Sequence, residues 1–159
     1  MYERYTEGAR RAMFLAKNEA VSDRSPAIET DHLLQGVITA DIERLVSLIS
    51  RASRDSIQER VLRAKKVYHG GGTSDDVPLS GESKRVLNYA QEEADHLKHE
   101  KIEIEHLLLG LMREPKTVAG RILEEQGLKL GALRQKLGGS AELAVSAGFG
   151  SKLKKLFGK

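Results

Sequence analysis

The sequence predicts an all-α protein made of two pseudo-symmetric four-helix repeats packed into one domain, followed by a short basic tail. Three observations carry that prediction. Residues 28–36 (Ile-Glu-Thr-Asp-His-Leu-Leu-Gln-Gly) return at 102–110 as Ile-Glu-Ile-Glu-His-Leu-Leu-Leu-Gly, and aligning residues 5–36 with 79–110 at a constant shift of 74 gives ten identities in 32 positions. Chance supplies about two, so the chain is a duplicated unit. Three prolines, 4% aromatic residues and abundant Ala, Leu, Glu, Lys and Arg favour helix. Apolar residues also recur at helical spacing in both copies.

The elements follow in order. Thr6 is the expected N-cap of a helix to about Ser22, with Ala9, Ala12, Met13, Ala16 and Ala20 as its buried stripe. Ser80 opens the counterpart, which runs to about Leu97 through Val86, Leu87, Ala90 and Ala94. After Pro26, Thr30 reads as the cap of a short core helix carrying Leu33, Leu34, Val37 and Ile38, repeated in the second copy by Leu107, Leu108, Leu111 and Met112. A third helix holds Leu45, Leu48 and Ile49, or Val118, Ile122 and Leu123, the latter stopped by Gly127. A fourth holds Ile57, Val61 and Leu62, or Leu130, Leu133 and Leu137. The domain is expected over residues 1–139, with repeat one at about 5–67, a polar Gly-rich linker at 68–78 and repeat two at about 79–138. Residues 140–159 are expected to form a flexible basic tail.

Halves of roughly 65 residues are marginal alone, so the two copies should share one core. The absence of cysteine excludes a disulfide framework, a thiolate nucleophile and a Cys-based metal knuckle. A charged N-terminus without the apolar core of a signal peptide, and no apolar run near the roughly 18 residues of a membrane span, lead to the expectation of a cytoplasmic protein. The formal charge is +3, yet the tail lysines 152, 154, 155 and 159 leave the rest of the chain at −1. The basic balance is therefore a tail property, and no nucleic-acid partner is expected.

Motifs of catalysis are absent. No Gly-x-x-x-x-Gly-Lys-Ser/Thr loop offers a cradle for ATP phosphates, no Gly-x-Ser-x-Gly elbow presents a nucleophile, and Gly148-Phe149-Gly150 follows no strand. Glu29 with His32, and Glu103 with His106, repeat a Glu-x-x-His pair that can hold two metals on long facing helices. Here the pairs straddle the start of short helices, so hydrogen-bonding or packing histidines are expected, with no metal and no cofactor. His96 and His99 do not complete a His-Glu-x-x-His zinc motif and read as surface residues. In the tail, a helix would place Leu153, Leu156 and Phe157 on one side. That suits a short peptide for an acidic groove or a weak anionic-membrane contact, against the alternative of a solvated tail.

Arg4-Tyr5-Thr6-Glu7-Gly8-Ala9-Arg10-Arg11, Ala16-Lys17-Asn18-Glu19-Ala20, and the twin stretches Thr30-Asp31-His32-Leu33-Leu34-Gln35-Gly36 and Ile104-Glu105-His106-Leu107-Leu108-Leu109-Gly110 give the chain its family likeness. Over residues 2–137 it resembles the amino-terminal double repeat of the Clp family of AAA+ unfoldases. The resemblance implies an eight-helix, non-enzymatic domain that docks protein substrates or adaptor proteins for a Clp-type AAA+ ATPase. Some members read phosphoarginine with a hydroxyl residue opening the first helix and an acid in the signature of each copy. The matching positions are Thr6 with Asp31 and Ser80 with Glu105; Asp31 is a methylene shorter than the usual glutamate, and Ser80 replaces threonine. The alternative for all four is helix capping and interaction with the helix dipole. For the chain as a whole, the resemblance is compatible with a separate binding protein, or with the N-domain portion or relic of a larger Clp ATPase. Attachment to membranes or polyanions through the tail is a third reading.

Overall fold

The computed structural model describes residues 2–69 and 76–138. Eight helices follow one another there: α1 (Glu7–Ser22), α2 (Thr30–Ala40), α3 (Ile42–Val46), α4 (Arg51–Arg63), α5 (Gly81–His96), α6 (Ile104–Met112), α7 (Val118–Glu125) and α8 (Leu130–Lys136). Thr6 starts α1 because its extended backbone lets Oγ1 accept from the Ala9 amide at 3.3 Å. Ser80 starts α5 in the same way, accepting from the Ser83 amide at 3.1 Å. Gly127 ends the α7 turn at φ +84°, in the left-handed region that glycine enters without strain.

Within each repeat the first two helices cross so closely that the last signature residue must be glycine. A Cβ on Gly36 would collide with the Ala12 carbonyl oxygen of α1, and one on Gly110 would lie 2.5 Å from the Val86 carbonyl oxygen of α5. The predicted alanine stripe of α1, from Ala9 through Ala20, is buried throughout, as are Val86, Leu87, Ala90 and Ala94 of α5. Helices α2 and α6 lie at the centre, with Leu34, Ile38, Leu108, Leu109 and Leu111 sealed in one continuous apolar core.

The repeats join through two short parallel backbone bridges, Tyr5 to Ile102 and Ile28 to Leu79. The Thr6 amide donates to the Ile102 carbonyl at 3.1 Å and the Ile102 amide to the Arg4 carbonyl at 2.8 Å. On the other side, the Ser80 amide donates to the Ile28 carbonyl at 3.1 Å and the Ile28 amide to the Pro78 carbonyl at 2.7 Å. The 74-residue shift that aligns the sequence copies turns each bridge into the other. The shared core and the crossed bridges fit a pseudo-twofold pair of halves that would each be marginal alone.

Several sequence expectations are corrected. Thr30 does not cap α2; Glu29 does, while Thr30 sits inside the first turn, buried, its Oγ1 accepting from the Ala119 amide at 3.4 Å across the repeat boundary. Helix α3 ends at Val46, and Leu48 and Ile49 enter the core from the turn that follows. Leu62 is exposed rather than packed, because Ile57 and Val61 already fill the inward face of α4. The central linker residues 70–75 and the basic tail, with Leu153, Leu156, Phe157 and the four lysines, lie outside the described residues. Among the described residues no helix is long and apolar enough to cross a membrane.

Candidate functional site

The Glu-x-x-His pairs build helix starts. The Glu29 amide donates to His32 Nδ1 at 2.9 Å, and the Glu103 amide to His106 Nδ1 at 2.8 Å. An accepting Nδ1 leaves the proton of each neutral ring on Nε2. His32 Nε2 then meets Asp23 Oδ2 at 3.1 Å, and His106 Nε2 meets His99 Nδ1 at 2.9 Å. His99, read from sequence as a surface residue, is thus half-buried and bonded to the core. Among the described residues no group of three His, Asp or Glu side chains is placed to hold a metal ion.

Burial, more than the opposing pull of Glu105 and Glu93 and with some help from His99 and Arg44, lowers the His106 pKa from 6.5 to about 4. A protonated ring would also lose the acceptor that anchors Glu103. In the unfolded chain the same imidazole takes its proton near pH 6.5. The stabilising effect of the neutral ring is therefore complete above pH 6.5 and drains away as pH falls toward 4. The loss should reach about 3 kcal/mol. Urea unfolding between pH 7 and pH 4 should show this slope in the intact chain and lose most of it in His106→Gln; parallel pH profiles for the two proteins would contradict the assignment.

The helix N-termini gather at two pseudo-equivalent places, and the crossed bridges decide which residues meet. Thr6 lies not with Asp31 but beside the second copy's acids, its hydroxyl donating to Glu103 Oε2 at 3.1 Å. Ser80 lies not with Glu105 but with Asp31, lining the same cleft. The pairing by repeat expected from sequence is corrected to a pairing across repeats, because the segments before α1 and α5 each hydrogen-bond to the opposite copy.

The two places are chemically unequal. At the first, Arg44 of α3 forks onto Glu105, Nε to Oε2 at 2.8 Å and one terminal nitrogen to Oε1 at 2.9 Å, while Nε also faces Glu103 Oε2 at 3.2 Å. The hydrogen bonds to Glu105 raise the Arg44 pKa still further above its already high value. At the second, a cleft of about 460 Å³ opens among Glu29, Asp31, Ser80, Lys66, Arg85 and Val118. Asp31 is only 7% exposed, as is Glu105, yet among the described residues its carboxylate has neither a hydrogen-bond nor an ion-pair partner. Its oxygens are not among the sealed atoms that lack a partner, so the carboxylate is open to an incoming donor from the cleft. Lys66 and Arg85, the latter bonded to Glu114 at 2.6 Å, bring positive charge to the cleft beside the α5 N-terminus, where Glu82 lines it as well. The space where a Gly81 side chain would begin is empty, and the α5 amides before Ser83 have no acceptor within the helix. The cleft carries both signs of charge, with Glu29, Asp31 and Glu82 beside Lys66 and Arg85 and the N-terminus of α5.

Sequence reasoning missed Arg44, Lys66, Arg85 and the capping glutamates as parts of these places. One signal was visible: the 74-residue shift sets Arg44 opposite Val118, a charged residue against an apolar one at the same place in the repeat.

Comparison with known proteins agrees with the architecture. The family description Clp repeat (R) N-terminal domain matches residues 4–126 and, in a second overlapping match, 78–148. An ATP-dependent Clp protease ATP-binding subunit ClpA homolog of Guillardia theta is 34% identical over 153 residues, covering 93% of this chain and 19% of the relative. The chloroplastic chaperone protein ClpC of Pisum sativum is 36% identical over 128 residues, covering 80% of this chain and 14% of its own length. The chain thus spans less than a fifth of these curated relatives. Among solved structures, the N-terminal domain of the caseinolytic protease associated chaperone ClpD from Arabidopsis thaliana superposes with a TM-score of 0.66 at 31% identity, covering 86% of this chain and 96% of that one. The Hsp104 N-terminal domain from Candida albicans gives 0.69 at 20% identity over 85% and 89% of the two chains, which bears on the fold alone.

Proposed function

The chain belongs to the Clp repeat N-terminal domain family, and from that premise we propose that it is a binding module that docks protein substrates or adaptors for a Clp-type AAA+ ATPase, with the Asp31 cleft reading phosphoarginine on the docked protein. The observation that carries the ligand class is the Asp31 carboxylate, which has no partner among the described residues and lines a cleft that also holds Lys66 and Arg85. Phosphoarginine is two-headed. Its guanidine N–H groups suit Asp31, with Glu29 as a second acceptor in the same cleft. Its phosphate suits the N-terminal amides of α5 together with Lys66 and Arg85. The chain carries no ATP-phosphate loop, so the proposed role is docking rather than turnover.

Calorimetric titration with free phosphoarginine, against arginine, inorganic phosphate and phosphoserine, tests the ligand. Binding of phosphoarginine with little or none of the single-headed controls is expected. A flat titration of folded protein would sink the phosphoarginine reading and leave a docking module whose partners are sought by pull-down with adaptors and a Clp ATPase.

A further inference from the structure

The duplication provides two seats for a guanidinium group, and the chain fills one of them itself. We infer that Arg44 acts as a built-in occupant of the Glu103–Glu105 seat, so that this protein presents one open site, at Asp31 and Ser80, rather than two. The identity of the outside ligand rests on the phosphoarginine reading above; the occupancy of the seat rests on geometry alone.

The comparison of the two places is internal to the molecule. Glu105 and Asp31 are equivalent under the 74-residue shift and equally buried, at 7% exposure each. One is satisfied by a two-pronged guanidinium at 2.8 and 2.9 Å, and the other has no partner among the described residues. The difference traces to one position. Arg44 stands where the second repeat has Val118, and the flanking core residues keep the register, since Leu45, Leu48 and Ile49 are buried like their counterparts Ala119, Ile122 and Leu123. Val118 lines the open cleft and offers no charge to Asp31. The root of Arg44 is also fixed, because its amide donates to Asp41 Oδ1 at 3.1 Å in the α3 cap, where the second repeat has Pro115. The planar fork matches carboxylate geometry in the way a free arginine side chain would. An incoming guanidinium at this seat must displace a group already tethered beside it, whose effective concentration no dilute ligand matches.

The side chain of Arg44 remains 44% exposed, so it covers the seat from the solvent side instead of being sealed beneath it. Its removal therefore vacates a place that a ligand can reach.

The test uses amide NMR of the full chain titrated with methylguanidinium chloride, with potassium chloride at equal ionic strength as control, and then with phosphoarginine. In the intact chain methylguanidinium should move the resonances of Asp31, Gly81 and Glu82 and leave Glu105, Glu7 and Gly8 in place. In Arg44→Val, which copies the second repeat, and in Arg44→Gln, which keeps a polar side chain should valine impair folding, both sets should move. Phosphoarginine stoichiometry should rise from one to two per chain. Movement of both sets in the intact chain, or of the Asp31 set alone in folded variants, overturns the inference. Entry of methylguanidinium at the vacated Glu105 seat without phosphoarginine binding in any form would support Arg44 as occupant while overturning the phosphoarginine reading, so the two failures are separable.

Discussion

Replacing Glu93 by alanine should destabilise the fold by about 3–5 kcal/mol, the loss typical of a buried ion pair deprived of one partner. Glu93 is fully buried in α5 and takes a bidentate fork from Arg134 of α8, with Nε to Oε1 at 2.8 Å and a terminal nitrogen to Oε2 at 2.7 Å. Arg113 adds a third contact to Oε2 at 3.2 Å while resting over the Tyr89 ring at 4.1 Å. Truncation leaves Arg134, itself 7% exposed, beside an empty carboxylate site. The double change Glu93→Leu with Arg134→Leu removes both charges and should recover much of the loss, since paired burial gains little over apolar packing. Urea unfolding of the three proteins reads both effects. A single-variant loss below about 1 kcal/mol would mean that the pair is not desolvated as the structure has it.

Glu93 also shows where the sequence stopped being informative. It is identical to Glu19 in the alignment of the copies, yet Glu19 is a third exposed and meets Lys65 at 3.2 Å near the surface. Local pattern cannot distinguish them, because what differs is the arrival of Arg134 from a helix 41 residues later. The alanine stripe, the two hydroxyl caps and the signature glycines were legible for the opposite reason. Helical period, cap chemistry and close crossing are set within a few residues of each position, or by a repeat that states them twice. The Thr30 cap failed on a competition between neighbours: a Glu-x-x-His pair ties its histidine ring back to the glutamate amide, which moves the start one residue earlier. The site was half legible. The duplication pointed to Thr6, Asp31, Ser80 and Glu105, but it could not reveal that the bridges exchange partners between copies, since strand-like contacts of a few residues leave no periodic trace.

Asp31→Asn should lower phosphoarginine affinity by roughly 30- to 150-fold, about 2–3 kcal/mol, the scale for losing one member of a desolvated charge pair. Its effect on folding should be small and of either sign, within about 1 kcal/mol. Two contributions oppose each other there. Asparagine relieves the partial desolvation of a carboxylate that lines the cleft without a partner among the described residues. It also gives up the favourable position of a negative charge in the first turn of α2. Glu105→Gln should behave in the opposite way. That carboxylate is already occupied by Arg44, so its loss should cost on the order of 1 kcal/mol of stability, modest because the arginine is half-exposed, and should leave the measured ligand affinity nearly unchanged. The crossed pattern is what separates a binding residue from a capping one. Were both acids merely helix-start residues, their substitutions would affect stability alike and ligand binding not at all. Calorimetry on the two variants, beside their thermal melts, reads all four quantities, and an Asp31→Asn protein that binds phosphoarginine as tightly as the parent would remove the carboxylate from the recognition of the guanidine group.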